Sequence, residues 1–231
     1  MNCLRRSIIV LCLAMCSVLV VLLSNLPAQR RGPGMGPQQG ASALEKAPLP
    51  RDDAEKMILG ILDDIRANQQ YQNVPPQDGR LLRIMTESMN ARNVVEIGTS
   101  TGYSGIWFGL ALLKTGGRMT TFEIDPGRAA TARANFKRAG MADIITVVVG
   151  DAHEEVKKLK DPIDILFLDA DKQGYIDYLN KLLPLVRPGG LVIAHNITPG
   201  MADPSFMKAI MEDTNLETIV RGGVSITLKK K

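Results

Sequence analysis

The chain has 231 residues, of which 45% are hydrophobic and 23% charged, a balance that fits one globular domain with an appended segment and not a disordered chain. It carries 28 Lys and Arg against 24 Asp and Glu. The basic residues form no stripe interleaved with aromatic ones, so we expect no nucleic-acid partner. All three cysteines, Cys3, Cys12 and Cys16, precede the body of the chain, which excludes a disulfide framework, a cysteine zinc site and cysteine catalysis there.

The first predicted element is an export or anchoring segment at the amino terminus. Arg5 and Arg6 precede a nearly uninterrupted apolar run over residues 8–23, and Ala28 offers a cleavage point. The run is long for a signal-peptide core and short for a membrane span, so residues 1–28 are interpreted as a signal peptide or a membrane anchor. We therefore expect a protein that is exported, to the periplasm or outside the cell, or held at a membrane through this segment alone.

Residues 29–50 are rich in Gly, Pro, Gln and Ala and cannot bury enough apolar surface to offset the entropy of ordering, so they are predicted to be a disordered linker. The folded domain is predicted over residues 51–231. It begins with apolar residues at helical spacing, and a second helix is expected after Pro75 and Pro76. Met57, Ile61 and Met85 on these two helices offer a surface for a homodimer.

Strands and helices then alternate along the chain. Strands are predicted at residues 94–97, 119–124, 144–149, 163–168 and 191–194, separated by helices at 102–113, 127–139, 154–159 and 174–183. A further helix at 206–211 and a hairpin joining 217–220 to 225–229 complete the pattern. Alternation of this kind predicts a parallel sheet with helices on both faces, in which ligands bind beyond the carboxyl ends of the strands.

A glycine-rich turn follows the first predicted strand. Gly98 and Gly102 would let the backbone approach a ligand, but Ser100 breaks the dinucleotide pattern G-x-G-x-x-G, and a pyrophosphate would meet the carboxylate of Glu96. An acidic residue here suits a cationic ligand. A turn of this kind, taken alone, is equally consistent with a tight connection.

Two more acidic residues follow the next strands. Glu123 ends the second strand, where nucleotide-binding folds place a carboxylate on ribose hydroxyls, and Asp151 follows the third, where an acid can accept a hydrogen bond from an adenine amino group. Each alone could be an ordinary solvated residue. Together with Glu96 they predict a pocket for a nucleoside that carries positive charge.

The fourth and fifth strands end in a second group of polar residues. Asp169 emerges from an apolar strand, where a carboxylate would be desolvated unless a cation meets it, and Lys172 follows one short turn later. His195 and Asn196 follow the fifth strand. Carboxylate, imidazole and amide could hold a divalent metal ion with open positions for substrate. The alternative is a hydrogen-bonded histidine at a strand end and an asparagine in a turn.

The chain resembles the S-adenosylmethionine-dependent O-methyltransferases related to caffeoyl-CoA and catechol O-methyltransferases, from about Val74 to the carboxyl terminus. The resemblance is carried by Glu96-Ile-Gly-Thr-Ser-Thr-Gly-Tyr-Ser104, Glu123-Ile-Asp, Gly150-Asp-Ala, Leu168-Asp-Ala-Asp-Lys172 with Tyr175, and Arg187-Pro-Gly-Gly190. It implies a class I methyltransferase (Rossmann-like) α/β fold: a seven-stranded, mostly parallel sheet with a final antiparallel strand, helices on both faces and two helices in front. It also implies methyl transfer to a hydroxyl of a small catechol-like or phenolic acceptor.

The resemblance also assigns residues to roles. It places S-adenosylmethionine against Val74, Glu96, Gly98, Ser100, Ser104, Glu123, Gly150, Asp151, Ala152, His153 and Asp169. It makes Lys172 the catalytic base, with Asp169 beside it, and Asp169, His195 and Asn196 the metal ligands. The family usually has Asp where this chain has His195, and losing that negative charge weakens the site for Mg²⁺ and favours Mn²⁺, Zn²⁺ or no metal.

Two other functions fit the same pattern. An exported protein could use the fold to bind a nucleoside or an aromatic molecule without catalysis, and consumption of S-adenosylmethionine in the presence of a catechol would distinguish the two. An RNA methyltransferase would need a basic groove and a cytoplasmic location, which the leader argues against. The leader also means that an exported enzyme would need a source of S-adenosylmethionine, which is made in the cytoplasm.

Overall fold

The computed structural model describes residues 46–69 and 71–231. The predicted leader, residues 1–28, and nearly all of the predicted linker, residues 29–50, lie outside the described residues and stay predictions. Residues 49–231 form one compact unit, and the predicted bounds of the folded domain, residues 51–231, stay a prediction. Within the described part of the chain, no helix has both the length and the apolar character needed to cross a membrane.

Seven strands form one sheet in the order β3-β2-β1-β4-β5-β7-β6. They are β1 (Asn93–Ile97), β2 (Arg118–Glu123), β3 (Ile145–Val149), β4 (Ile163–Leu168), β5 (Val186–Ala194), β6 (Leu216–Arg221) and β7 (Val224–Lys229). Strands β1 to β5 pair in parallel, and β7 runs antiparallel to both β5 and β6. The mostly parallel seven-stranded sheet with a final antiparallel strand is therefore confirmed, as is the predicted hairpin.

Seven α-helices cover the sheet in the described residues. They are α1 (Asp53–Asn68), α2 (Pro76–Ser88), α3 (Tyr103–Thr115), α4 (Pro126–Arg138), α5 (Ala152–Glu155), α6 (Tyr175–Leu182) and α7 (Pro204–Glu212). Short 3₁₀ segments follow α5 at Val156–Lys158 and precede α6 at Lys172–Gly174. The single helix predicted at 154–159 is thus an α-helical turn continued by a 3₁₀ turn.

Two hydrophobic clusters lie on the two faces of the sheet. One contains Val94 with residues of α1 to α4, and the other contains Val95 with residues of α6 and α7. Successive side chains of a strand point to opposite faces, so a strand covered on both sides is apolar throughout. Ile61 lies in the first cluster and is buried, so its predicted place on a dimer surface is wrong, whereas Met57 is exposed.

Strand β5 begins five residues earlier than predicted, at Val186 and not at residue 191. Its register against β4 shifts between the pairs Ile163 with Val186 and Ile165 with Leu191, so the intervening Pro188-Gly-Gly segment bulges out of the ladder. Proline and glycine read as strand breakers in the sequence because they weaken regular pairing, but a bulge accommodates them without ending the strand.

Candidate active site

A cavity of about 1180 Å³ opens beyond the carboxyl ends of strands β1 to β5. Most of the predicted site residues line it: Gly98, Ser100, Glu123, Gly150, Asp151, Ala152, His153, Asp169, Lys172, His195 and Asn196. Small-molecule pockets usually measure about 300 to 1,000 Å³, so this space can hold a nucleoside together with a second small molecule. The strand-end positions predicted from the sequence therefore converge on one site.

Three predicted cofactor residues lie behind the cavity wall. Val74 is buried in the hydrophobic core. Glu96 has no exposed surface, and its two carboxyl oxygens accept hydrogen bonds from Ser104 Oγ and Thr121 Oγ1, each at 2.5 Å. Burial raises the pKa of Glu96 to about 8 despite these two hydrogen bonds. In this structure Glu96 and Ser104 therefore support the glycine-rich turn from below instead of facing the cavity.

The glycine-rich turn lies directly against the end of β4. Gly98 has a φ of +101°, and a Cβ at this position would lie 2.4 Å from the carbonyl oxygen of Asp169. Only glycine fits both the backbone conformation and the close approach. Ser100, with a φ of +49°, donates its backbone N–H to Glu123 Oε2 at 2.9 Å. The turn thus ties the ends of β1, β2 and β4 together.

Glu123 is only 5% exposed and is held in place by several donors. The backbone N–H of Asp125 donates to Oε1 at 3.0 Å, and Arg128 donates to the same oxygen from Nε at 3.0 Å and from Nη2 at 2.7 Å. Arg128 also lines the cavity and was not predicted from the sequence, because an arginine in the first turns of a helix carries no distinctive signal. A ribose hydroxyl arriving at Glu123 would share this carboxylate with Arg128.

The rim of the cavity beyond β3 contains a stacked pair of rings. The imidazole of His153 lies 4.3 Å from the ring of Tyr178 at an interplanar angle of 17°. Its Nδ1 lies 2.5 Å from Asp177 Oδ2, and this hydrogen bond raises the pKa of His153. Asp151 caps α5 by accepting the backbone N–H of His153 at 2.9 Å. This side of the cavity is acidic, as the sequence predicted.

Asp169 and Lys172 form an ion pair at the floor of the cavity. Lys172 Nζ lies 3.1 Å from Asp169 Oδ1 and also donates to Tyr175 Oη at 2.8 Å. Tyr175 Oη in turn donates to the carbonyl oxygen of Leu168 at 2.9 Å. The ammonium group is therefore fixed by two partners, and Tyr175 is itself anchored to the end of β4.

His195 lies between two carboxylates. Its Nε2 is 2.9 Å from Asp78 Oδ2, and its Nδ1 is 3.4 Å from Asp169 Oδ1. The second contact is an ion-pair distance without hydrogen-bond geometry, and the buried Nδ1 has no hydrogen-bond partner. Burial lowers the pKa of His195, but the two carboxylates outweigh it and raise the pKa to about 9.

Asp78 was not predicted as a site residue. It lies in the first turn of α2, 117 positions before His195. Acidic residues are common in a first turn because they interact favourably with the helix dipole, so Asp78 does not stand out in the sequence. Its neighbour Gly79 explains how it reaches the site. A Cβ on Gly79 would lie 2.2 Å from Trp107 Cδ1, so only glycine lets α2 pack this closely on α3.

The predicted metal ligands provide a poor donor set for Mg²⁺. Asp169 is the one carboxylate among the three, and its Oδ1 is already paired with Lys172. Across residues 46–69 and 71–231, no group of three or more His, Cys, Asp or Glu side chains is arranged to hold a metal ion. Mg²⁺ favours near-octahedral oxygen ligation and usually carboxylates, which an imidazole does not replace. The metal assignment stays a prediction.

The remaining wall of the cavity comes from two segments that contain none of the predicted site residues. Tyr71, Gln72 and Asn73 precede α2, and Met201 follows β5. Asn73 is held by Thr101 Oγ1, which donates to its Oδ1 at 2.7 Å. Tyr71 and Met201 are each about half exposed at the mouth, 54% and 50% respectively, so they offer apolar surface to an entering molecule.

Comparison with known proteins identifies a family for this chain. The family model described as O-methyltransferase matches residues 53–201. Catechol O-methyltransferases of Niastella koreensis and Mycobacterium tuberculosis are 39% and 38% identical over 54% and 55% of this chain, respectively. The aligned part spans 58% of each of these relatives.

Solved structures extend the likeness over most of the folded part. The O-methyltransferase from Bacillus cereus, solved in complex with SAH, has a TM-score of 0.65 and 29% identity, covering 79% of this chain and 93% of that one. TomG from Streptomyces achromogenes, an O-methyltransferase involved in tomaymycin synthesis and solved with SAM, has a TM-score of 0.66 and 26% identity, covering 83% and 94%.

Proposed function

The chain belongs to the O-methyltransferase family, and on that premise we propose that it transfers the methyl group of S-adenosylmethionine to a hydroxyl oxygen of a small catechol-like or phenolic acceptor. One observation carries the proposal: the acidic ends of β2 and β3, with Glu123 and Asp151, and the Asp169, Lys172 and His195 group at the ends of β4 and β5 line the same cavity. The first set suits a cationic nucleoside, and the second suits a hydroxyl that must lose its proton.

The cofactor half is assigned to the β2 and β3 side. Glu123 would accept hydrogen bonds from the ribose hydroxyls and Asp151 from the adenine amino group, while Gly98, Ser100, Gly150, Ala152 and His153 would border the nucleoside and methionine parts. The buried Glu96 and Ser104 would act on the cofactor through the turn that they support. The SAH and SAM reported with the related structures support this assignment.

The reactive half is assigned to Asp169 and Lys172. When bound, S-adenosylmethionine supplies a methyl group on a sulfonium, which passes to the acceptor oxygen as the sulfur–carbon bond breaks and the oxygen–carbon bond forms. Lys172 lies where it could take the hydroxyl proton or, as an ammonium group, stabilise the resulting oxyanion. Asp169 and Tyr175 fix the lysine, so much of the rate would come from positioning.

The acceptor is assigned to the mouth formed by Tyr71 and Met201. Their half-exposed apolar surfaces would lie against the faces of an aromatic ring, with its hydroxyl directed toward Lys172. The catechol O-methyltransferases among the relatives support a catechol as the first acceptor to test.

A methyl-transfer assay tests the proposal directly. Purified full-length protein would be incubated with S-adenosylmethionine carrying a labelled methyl group and a catechol, and the label in the organic product measured. We expect labelled product and equimolar S-adenosylhomocysteine, both lost in Lys172→Met. Tight binding of S-adenosylmethionine without turnover across a panel of phenols would instead indicate a binding protein and overturn the proposed activity.

A further inference from the structure

The two carboxylate oxygens of Glu123 are used unequally. Within the part of the chain that the structure describes, Oε1 accepts three hydrogen bonds, from the backbone N–H of Asp125 at 3.0 Å and from Arg128 Nε at 3.0 Å and Nη2 at 2.7 Å. Oε2 accepts one, from the backbone N–H of Ser100 at 2.9 Å. A carboxylate offers about four acceptor positions, divided between its two oxygens. Oε1 is therefore fully occupied, whereas Oε2 can accept one more donor.

This distribution limits how Glu123 can hold a ribose. One ribose hydroxyl can donate to Oε2 alongside Ser100, with Arg128 still in place. The second hydroxyl needs an acceptor position on Oε1. That oxygen can supply one only if a donor that it now holds gives way.

Arg128 is the donor that can give way. Ser100 and Asp125 donate from the backbone of two turns, so their N–H groups move only if the turns move. Arg128 donates through a side chain that is 40% exposed, and rotation of that side chain breaks both contacts. The backbone N–H of Arg128 meanwhile stays on Asp125 Oδ1, at 2.7 Å.

The contact between Arg128 and Glu123 also has a geometry that favours exchange. A guanidinium and a carboxylate often pair through two parallel hydrogen bonds, one to each oxygen. Here Nε and Nη2 both donate to Oε1, so the pair lacks the second oxygen of that arrangement. Hydroxyl donors can therefore replace the guanidinium on Oε1 without breaking a two-oxygen fork.

We propose that Arg128 competes with the ribose of the bound nucleoside for Glu123: its guanidinium takes the position of one ribose hydroxyl on Oε1 and is displaced when the nucleoside binds. The inference rests on the proposed function for the placement of the ribose. Because binding breaks the Arg128 contacts before the second hydroxyl can donate, Arg128 lowers the affinity for the methyl donor and for its product, S-adenosylhomocysteine. When the product leaves, Arg128 returns to the buried carboxylate, which favours release.

The first test is calorimetric titration of the full-length wild type and Arg128→Met with S-adenosylhomocysteine. This ligand carries no sulfonium, so the lost charge of Arg128 does not act on a cationic ligand. We expect Arg128→Met to bind it about tenfold more tightly, the equivalent of one net hydrogen bond. Weaker or unchanged binding would overturn the proposal, because Arg128 would then donate to the nucleoside or not meet it.

The 2′-deoxy and 3′-deoxy analogues of S-adenosylhomocysteine test whether a ribose hydroxyl is the competitor. The analogue that lacks the hydroxyl for Oε1 cannot displace Arg128, so it should bind the wild type and Arg128→Met equally. The other analogue should keep the gain. If both analogues gain as much as S-adenosylhomocysteine does, the effect does not come from the ribose and the proposal is wrong.

Two further variants complete the design. Arg138→Met is the matched control: Arg138 lies on the same helix and pairs with Asp64 at 2.5 Å, away from the cavity lining, and its loss should leave the affinity unchanged. Arg128→Lys covers the case in which Arg128→Met does not fold. Lysine keeps the charge but not the planar pair of donors, so we expect part of the gain, and no gain would overturn the proposal.

The two proposals can fail separately. A protein that methylates a catechol, but binds S-adenosylhomocysteine more weakly as Arg128→Met, keeps its proposed function and refutes the competition. A protein that methylates no phenol, but shows the expected gain in Arg128→Met and its loss in one deoxy analogue, keeps the competition and refutes the proposed activity. No binding of S-adenosylhomocysteine to any of the proteins would overturn both.

Discussion

Gly79 lies directly against the indole ring of Trp107, at the contact that brings α2 onto α3. A Cβ on Gly79 would overlap three atoms of the ring, the nearest at 2.2 Å. Trp107 is buried and cannot move aside without disturbing the core. The neighbouring Asp78 reaches His195 because α2 lies this close.

Gly79→Ala should therefore weaken both the fold and the site. We expect a loss of about 1 to 3 kcal/mol in the free energy of unfolding, since overpacking forces the helix outward. The control is Gly60→Ala on α1, where a Cβ meets nothing within 4 Å and alanine favours the helix. Urea unfolding of both variants checks this. Equal stability of the two would contradict the close packing of α2.

The buried carboxyl of Glu96 should make stability depend on pH. Its pKa is raised from 4.5 to about 8, chiefly by burial, so the folded state retains a proton that the unfolded state releases. The stabilising contribution is fully present below pH 4.5 and is lost as pH rises through about 8. Unfolding midpoints measured from pH 5 to 8.5 should fall with pH in the wild type and much less in Glu96→Gln.

The control for Glu96 is Glu154→Gln. Glu154 is exposed and paired with Lys157 on the surface, so Glu154→Gln changes a carboxyl group without altering the buried core. A wild-type slope that Glu96→Gln does not alter would mean that another group causes the pH dependence.

Glu123→Ala should weaken S-adenosylmethionine binding by about 1 to 3 kcal/mol, because it removes the acceptor proposed for the ribose and leaves Arg128 without its buried partner. Calorimetric titration, with circular dichroism to verify folding, measures the loss. Glu154→Ala, on the exposed surface after β3, provides the matched control. Unchanged affinity in a folded Glu123→Ala protein would remove the ribose assignment.

Substitutions at Lys172 and Tyr175 should separate chemistry from positioning. Lys172→Met is expected to lower kcat by about 10² to 10⁴ while the KM for S-adenosylmethionine changes little. Tyr175→Phe removes one acceptor of the lysine ammonium group but leaves Asp169, so its effect on kcat should be smaller. Steady-state kinetics with a catechol measures both. A larger loss in Tyr175→Phe than in Lys172→Met would reverse the assignment.

The sequence predicted the parts of the site that depend on local order. Apolar strands bounded by turns predict where β1 to β5 end, and parallel pairing brings those ends to one edge, so the sequence pattern alone places Glu123, Asp151 and Asp169 together. The same reasoning could not show that Glu96 turns inward, because that depends on Ser104 and Thr121 lying within hydrogen-bond reach.

Asp78 and Arg128 escaped the sequence analysis for a related reason. Asp78 lies in the first turn of α2, where the helix dipole gives an acidic residue an ordinary explanation, and Arg128 lies in the first turn of α4, where no motif singles it out. Asp78 reaches the site because α2 packs closely on α3, and Arg128 reaches it because its side chain extends across the start of α4. Neither arrangement produces a recognisable pattern in the sequence. Tertiary contacts of this kind become visible only once the elements are assembled.

The order of strands in the sheet divides the cavity into two halves, each built by a different set of strands. From β1 at the centre, the chain turns one way through β2 and β3 to form the nucleoside wall, and the other way through β4 and β5 to form the reactive wall. Gly98 lies at the boundary between the two walls, in contact with Asp169 on the other side. Substitutions in the segment after β5 can therefore alter which acceptor is methylated while the loops after β2 and β3 stay the same. The choice of acceptor and the choice of methyl donor can thus evolve independently.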